Sequence, residues 1–198
     1  MTDHYFSSSP SAAERRRHVR VTVWGHKLDL STSSGVFAGE GLDKATDVLL
    51  SHTKPPEPTS TVLDLGCGWG PIACGIAVAS PGATVWATDV NERAVELTRS
   101  NAEELGVTVH AVLPDAMPDD VRFDAIWSNP PIRIGKTALH ELLLGWLGRL
   151  TPAGRAYLVV GRNLGSDSLQ RWLTEQGWPT YRIASEKGFR VLEVRRGT

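Results

Sequence analysis

The sequence predicts a doubly wound α/β fold, in which helices cover both faces of a mostly parallel sheet. From Thr59 onward, short apolar runs typical of buried strands alternate with helical patterns. A glycine-rich turn follows the first run, as in sheets that bind a ligand at the carboxyl ends of their strands. Two consecutive strand patterns close the chain, which predicts one antiparallel edge.

Length and composition restrict the class of protein. The 198 residues suit one domain with a short extension, and 41% hydrophobic with 22% charged residues excludes a disordered, collagen-like or coiled-coil chain. The net charge of −1, from 21 basic and 22 acidic residues, excludes a strongly basic protein that coats nucleic acid. A local basic patch remains compatible with that balance.

Cysteine usage and hydropathy bear on the compartment. Cys67 and Cys74 cannot form a disulfide framework or, by themselves, a four-ligand zinc site. The N-terminus does not resemble a signal sequence, and no apolar run approaches the roughly 18 residues that a membrane helix needs. We therefore expect a cytoplasmic protein with neither a metal nor a membrane partner.

A proline-rich link at residues 54–58 is the one clear boundary. It predicts a flexible tail, a hairpin-and-helix extension and an α/β domain, over residues 1–17, 18–58 and 59–198. Apolar and polar residues alternate on both sides of Gly25-His26, at 18–24 and 27–30, which predicts the hairpin. Asp43 is placed to cap the short helix that follows.

The elements of the α/β domain follow from period and from end signals. Pro71 opens the first helix, Gly106 ends the second, and the third carries an apolar stripe. The predicted strands cover residues 61–65, 84–88, 107–113, 123–127, 155–160, 181–184 and 189–195. The predicted helices cover residues 71–79, 92–105, 137–150 and 166–176.

The glycine-rich turn is the most informative motif. Gly66, Gly68 and Gly70 follow a buried strand and precede a helix, and without Cβ atoms they let a ligand lie directly on the backbone. A dinucleotide motif would have a glycine where Pro71 stands, and Asp64 precedes the first glycine by two residues. This spacing points away from NAD and FAD, and the missing Lys-Ser/Thr pair argues against ATP.

Acidic residues after the next two strands are the second signal. Asp89 ends its strand where a carboxylate can accept hydrogen bonds from both ribose hydroxyls, while Asn91 is the better helix cap. Asp115 is placed to meet an adenine amino group, with the Ala116 N–H as donor to the ring, although a turn residue is the plainer reading. Cys67 is interpreted as a small loop residue rather than a nucleophile.

Together, the string from Asp64 to Gly70 with Asp89 and Asp115 resembles the class I S-adenosylmethionine-dependent methyltransferases. That resemblance implies a seven-stranded, Rossmann-like sheet whose last strand is inserted antiparallel. It also implies S-adenosylmethionine as cofactor, lying across the carboxyl ends of the first strands. The implied cofactor residues are Asp64, Gly66, Cys67, Gly68, Gly70, Asp89, Val90, Asp115, Ala116 and Asn129.

The run Asn129-Pro130-Pro131-Ile132, directly after the fourth strand, is the candidate acceptor motif. Methyl transfer needs the acceptor lone pair aimed at the methyl carbon, but in a planar amine that pair is delocalised. The Asn129 side-chain oxygen and the Pro130 carbonyl can hold the two N–H groups and turn the nitrogen, so positioning carries the catalysis. Ile132 replaces the aromatic residue usual at this place, which argues against stacking there.

A narrower resemblance follows from residues 129–136, 35–43 and 187–191, which are similar to the small-subunit ribosomal RNA guanine-N2 methyltransferase family. This implies guanine N2 of ribosomal RNA as the acceptor. It places Phe37 and Asp43 near the cofactor and the acceptor entrance, where a packed aromatic and a helix cap are equal alternatives. Arg133 and Lys136 are expected either to hold RNA phosphates or to be ordinary surface charges.

Two other functions remain open at the level of sequence. The same motif serves enzymes that methylate a protein glutamine amide or another small amine. A non-catalytic RNA-binding module that retains the cofactor fold is the second alternative.

Overall fold

The computed structural model of the chain describes residues 16–33 and 41–197. Seven strands form the main sheet, and two more form an N-terminal hairpin. The strands are β1 Arg16–Val23, β2 His26–Ser33, β3 Thr61–Leu65, β4 Thr84–Thr88, β5 His110–Val112, β6 Phe123–Ser128, β7 Leu150–Gly161, β8 Thr180–Glu186 and β9 Phe189–Arg195. The helices are α1 Lys44–Ser51, α2 Pro71–Ala79, α3 Glu92–Glu104, α4 Lys136–Leu147 and α5 Ser166–Glu175.

The main sheet has the order β5-β4-β3-β6-β7-β9-β8. β9 runs antiparallel to both of its neighbours, and the pairs among β3 to β7 are parallel. This confirms the doubly wound fold and the antiparallel insertion of the last strand. The antiparallel strand lies one place in from the edge, which is formed by β8.

α4 and β7 differ from the predicted helix over residues 137–150 and the predicted strand over residues 155–160. α4 ends at Leu147, three residues early, because the chain turns at Gly148 to start β7 at Leu150. The Phe123 N–H donates to the Arg149 carbonyl at 2.9 Å, so the pairing with β6 begins there. Pro and Gly between residues 150 and 155 are typical of a turn, which hid the first half of this strand.

The N-terminal hairpin turns one residue earlier than predicted, at Trp24-Gly25. Both residues have positive φ, 45° and 85°, as a two-residue turn that follows the strand twist requires. The inner face of the hairpin buries Val21, Val23 and Leu28 against α2 and α3, in the same apolar cluster as the core of the sheet.

Asn101 of α3 ties the hairpin to the glycine turn. Its side-chain oxygen accepts from the Ser31 N–H at 2.7 Å, and its amide nitrogen donates to the carbonyls of Ser31 at 2.8 Å and Trp69 at 2.7 Å. The side chain is fully buried, so these bonds replace water that cannot reach it. One amide therefore holds β2 and the turn after β3 in a fixed relation.

Asp64 of β3 is a buried carboxyl group directly before that turn. Its Oδ2 accepts from the Ala73 N–H of α2 at 2.9 Å, while Oδ1 finds no hydrogen-bond partner among the described residues. Burial raises the pKa of Asp64 to about 7; the Ala73 N–H opposes the rise and the charge of Asp89 adds to it.

Gly75 and Gly145 provide a matched test of packing. An added Cβ at Gly75 in α2 would overlap the fully buried side chain of Val23, whereas at Gly145 in α4 it would meet no described atom within 4 Å. We expect Gly75→Ala to lower the free energy of unfolding by about 1–3 kcal/mol through overpacking. Gly145→Ala should raise it by about 0.5–1 kcal/mol through helix propensity. Urea titration of both variants measures this, and equal shifts would contradict the close approach of α2 to the hairpin.

The raised pKa of Asp64 predicts a pH dependence of stability. Between pH 4 and pH 7 the unfolded state has lost this proton while the folded state retains it, so the contribution of Asp64 to the free energy of unfolding falls as pH rises. The loss is at most about 1.4 kcal/mol per pH unit. Asp64→Asn keeps an acceptor for the Ala73 N–H and should lack this decline. Urea titrations at pH 5 and pH 7.5 compare the two proteins, and parallel profiles would mean that Asp64 is ionised throughout.

Candidate active site

A cleft opens at the carboxyl ends of β3, β4 and β6. The parallel pairing of β3 with β6 matches Leu65 with Ser128, and the Ser128 hydroxyl donates to the Leu65 carbonyl at 2.7 Å. The residues after these two strands therefore begin side by side. The lining of the cleft includes Gly66, Asp89, Val90, Asn129, Pro131 and Trp146.

The turn after β3 is a rigid backbone surface. The N–H groups of Gly66 and Cys67 both donate to the Thr88 carbonyl, at 2.8 and 3.0 Å. Gly66 and Gly68 have positive φ, and an added Cβ there would meet no described atom within 4 Å, so the absent side chains leave room for a ligand. At Gly70 a side chain is excluded for a different reason, because a Cβ there would lie 2.8 Å from the Thr98 hydroxyl oxygen.

Asp89 faces this turn and does not cap the helix. Its Oδ2 accepts from the Gly68 N–H at 3.0 Å and its Oδ1 from the Asn91 N–H at 3.0 Å. The cap of α3 is Asn91, which accepts from the Arg93 N–H at 3.1 Å, as predicted. Burial raises the pKa of Asp89, and its backbone hydrogen bonds oppose that rise. Each oxygen keeps acceptor capacity for a ligand hydroxyl.

Cys67 and Trp69 are packed parts of the turn. The Cys67 thiol is buried, accepts from the Thr98 hydroxyl at 3.4 Å, and has its pKa raised by burial. A thiol that resists ionisation is a poor nucleophile, in agreement with its interpretation as a loop residue. Trp69 is only 4% exposed and lies in the core cluster, so it packs the turn from within.

The two residues after β5 that are expected to contact adenine differ in how accessible their polar groups are. Asp115 is exposed in the 3-10 helix Pro114–Ala116, which is one turn long, and Pro114 lines the cleft. The Ala116 N–H donates to the Leu113 carbonyl at 3.0 Å, which closes this turn. That bond competes with the expected donation to the adenine ring. Val90 is 48% exposed and offers an apolar surface to the cleft.

The side chain of Asn129 has well-defined partners. Its amide nitrogen donates to Asp43 Oδ2 at 2.9 Å and to the Thr46 hydroxyl at 3.2 Å. Both acceptors belong to the start of α1, where Asp43 also caps the helix by accepting from the Ala45 N–H at 3.0 Å. Among the described residues, the Asn129 side-chain oxygen accepts no hydrogen bond.

The rest of the acceptor motif forms a tight turn. The Pro130 carbonyl accepts from the Ile132 N–H at 2.8 Å, so one of its two lone pairs remains for a ligand. Pro131 lines the cleft, and Ile132 begins the 3-10 turn Ile132–Ile134. The two isoleucine side chains of this turn pack against a second apolar cluster, to which α4 contributes Leu139, Leu143 and Trp146.

Other expected residues are placed at the rim or lie outside the described part. Arg133 and Lys136 are exposed and form no ion pair with another described residue. Phe37 lies outside the described residues, together with most of the glycine-rich stretch before Asp43.

Sequence reasoning missed one residue that lines the cleft and one that contacts Asn129. Trp146 belongs to the apolar stripe of α4, but it also lines the cleft, with Arg149 over its ring at 5.1 Å. Thr46 carried no motif signal, because its contact with Asn129 joins residues 83 positions apart. The apolar stripe of this helix predicts that Trp146 is buried, but the spacing of apolar residues does not indicate which end of the helix lies at the site.

None of the described helices is long and apolar enough to cross a membrane. Across residues 16–33 and 41–197, no group of three or more His, Cys, Asp or Glu side chains is arranged to hold a metal ion.

The chain is similar to proteins of two lengths. It is 29% identical over 200 residues to the uncharacterized protein YbxB of Bacillus subtilis (strain 168), covering 99% of this chain and 100% of that protein. It is 34% identical over 140 residues to ribosomal RNA small subunit methyltransferase C of Serratia proteamaculans, covering 68% of this chain and 40% of that protein. The chain thus matches about two fifths of the length of this longer relative.

The fold is similar to that of a solved methyltransferase. The Thermus thermophilus 16S rRNA N2 G1207 methyltransferase, in complex with AdoMet and guanosine, superimposes with a TM-score of 0.82 at 22% identity, over 95% of this chain and 52% of that one. The family model for the methyltransferase small domain matches residues 27–193. This match includes the glycine turn, Asp89 and the acceptor motif. The chain therefore belongs to the methyltransferase small domain family.

Proposed function

We propose that this enzyme methylates the exocyclic N2 amine of a guanine in ribosomal RNA. The observation that carries the proposal is that Gly66, Asp89 and Asn129 line the same cleft, so the glycine turn lies beside the residues after β6. The names of the longer relatives and the guanosine bound to the similar structure support the choice of acceptor.

The chain's own residues fit S-adenosylmethionine, which when bound supplies an electrophilic methyl group on a sulfonium. The open faces of Gly66 and Gly68 admit a ligand onto the backbone, and Asp89 retains acceptor capacity for the ribose hydroxyls. Val90 would cover one face of the adenine, with Asp115 at its amino group. The orphaned Oδ1 of Asp64 lies in the strand directly before the turn, and a cationic ligand beside it would lower the raised pKa of this carboxyl group and favour its ionised form.

At the acceptor side, the proposed roles rest on two oxygens. The Asn129 side-chain oxygen and the remaining lone pair of the Pro130 carbonyl accept from the two N–H groups of the guanine amine. They turn the nitrogen lone pair out of the ring plane and toward the cofactor turn. After methyl transfer the nitrogen is positively charged and loses one of these protons to water. Positioning of this kind can supply about 7–11 kcal/mol without a strong base.

The proposed RNA contacts are local, because the net charge is near zero. Arg133 and Lys136 are exposed beside the acceptor motif and can contact phosphates on either side of the target nucleotide. Such contacts orient the strand without reading its sequence.

The central test substitutes Asn129. Asn129→Ala should lower methyl transfer to small-subunit ribosomal RNA by at least about 100-fold, since it removes one of the two oxygens that hold the amine. The binding of S-adenosylhomocysteine should change little. The assay uses a labelled donor with RNA or intact subunits from a strain that lacks the protein, followed by nucleoside mass spectrometry.

Gln176→Ala is the matched control, because this exposed amide follows α5, which packs against the edge strand β8, and does not line the cleft. If the labelled methyl group enters protein rather than RNA, the acceptor is a protein glutamine amide and not guanine. Full activity of Asn129→Ala would remove the motif from the reaction altogether.

The cofactor role of Asp89 is tested by binding. Asp89→Ala loses the carboxylate proposed to accept from the ribose, and charged hydrogen bonds of about 1.5–3 kcal/mol correspond to roughly a 10- to 100-fold weaker Kd for S-adenosylhomocysteine. Calorimetry measures this, with the exposed Asp120→Ala as control. An unchanged Kd would assign Asp89 to holding the turn alone.

A further inference from the structure

We infer that Asp43 and Thr46, at the start of α1, are positioning residues that hold the Asn129 amide with its oxygen directed to the acceptor. The inference rests on the proposed function of Asn129. It differs from the expectation that Asp43 contacts the acceptor, because the structure engages Asp43 with Asn129 itself.

The hydrogen bonds use the whole donor capacity of the amide. A side-chain amide carries two N–H groups, and here there are two acceptors within reach, Asp43 Oδ2 at 2.9 Å and the Thr46 hydroxyl at 3.2 Å. Thr46 is buried and Asn129 is half-buried, so water competes little for these bonds. The amide oxygen is the polar atom of this side chain that remains for a substrate.

The chemistry of the acceptors decides which way the amide faces. An ionised carboxylate can only accept hydrogen bonds, so the amide nitrogen must face Asp43. The flipped amide would place its oxygen against the carboxylate, with two acceptors in contact and two donors turned to the substrate. A flipped Asn129 would then repel the N–H groups of an amine. Asp43 therefore selects the orientation that an amine acceptor needs.

The anchor is itself held in place. Asp43 Oδ2 also accepts from the N–H groups of Ala45 and Thr46, at 3.0 and 3.3 Å, as the cap of α1. The far end of α1 is fixed by Thr53, whose hydroxyl accepts from the Trp127 indole at 3.2 Å. Trp127 lies on β6, two residues before Asn129, which directly follows this strand. Both ends of the α1 segment are therefore bonded to β6 or to the residue that follows it.

A carboxylate on the amide nitrogen also strengthens the amide oxygen as an acceptor, because hydrogen bonds in a chain polarise one another. The amine becomes positively charged as the methyl group is transferred, so its N–H groups become stronger donors. The bond to the Asn129 oxygen thus strengthens along the reaction. This is the kind of contact that raises kcat rather than lowering KM.

Two variants separate positioning from helix capping. Asp43→Ser keeps a good cap, but its side chain is too short to reach Asn129 as well. Asp43→Asn keeps an oxygen that can take the place of Oδ2 and accept the same bonds. Asp47→Ser is the matched control on the same helix, since Asp47 contacts Lys187 at 3.0 Å and not Asn129.

We expect Asp43→Ser to lower kcat for methyl transfer to small-subunit ribosomal RNA by about 10- to 100-fold, with KM for RNA, the Kd of S-adenosylhomocysteine and Tm nearly unchanged. Asp43→Asn should restore most of kcat, and Thr46→Val should give a smaller loss than Asp43→Ser. Asp47→Ser should match the wild type.

A second readout needs no substrate. In the wild type the Asn129 side-chain N–H groups should exchange slowly with water in NMR spectra, and in Asp43→Ser this exchange should be faster. Unchanged exchange, or full kcat in Asp43→Ser beside an inactive Asn129→Ala, would overturn the positioning role and leave the proposed function standing. An active Asn129→Ala would instead refute the proposed function. Slow exchange of the Asn129 side-chain N–H groups in the wild type would then still report the contact with Asp43.

Discussion

The pairing of β3 with β6 is the constraint on which the site depends. These strands are far apart in the sequence, yet they lie side by side and end at the same level, with Leu65 opposite Ser128. The Ser128 hydroxyl bonds to the Leu65 carbonyl and fixes that level. A shift of one residue in this register would turn the side chains of β6 to the other face of the sheet and separate Asn129 from the glycine turn. The chemistry of the cleft is thus set by backbone register before any side chain acts.

The N-terminal segment completes the site from behind. Asn101 bonds the second hairpin strand to the glycine turn, and the first residues of α1 contact Asn129. The hairpin buries its apolar face in the same cluster as α2 and α3. The glycine turn and Asn129 are therefore each supported by residues that precede the main sheet in the chain.

Much of the sheet could be predicted because its signals are local. β3, α2 and β4 have the predicted bounds, since an apolar run, Pro71 and the following strand pattern each mark their own ends. The capping of α3 by Asn91 rather than Asp89 could also be predicted, because capping depends on the position of a residue relative to the first turn. The contacts of Asn129 with Asp43 and Thr46 could not be predicted, since they span 86 and 83 residues and need the tertiary fold. The 3-10 turn that engages the Ala116 N–H was missed for a different reason, because Pro-Asp-Ala is compatible with several turn types.

The contact between Ser31 and Asn101 has a consequence for synthesis on the ribosome. Ser31 emerges 70 residues before its partner, which at about 5–20 residues per second is a delay of about 3.5–14 s. A lone two-stranded hairpin is marginally stable, so until α2 and then α3 have emerged, Val21 and Leu28 lack the helices that cover them in the folded chain. The charged pair Arg20 and Asp29 on the other face, together with Lys27, opposes association with other nascent chains.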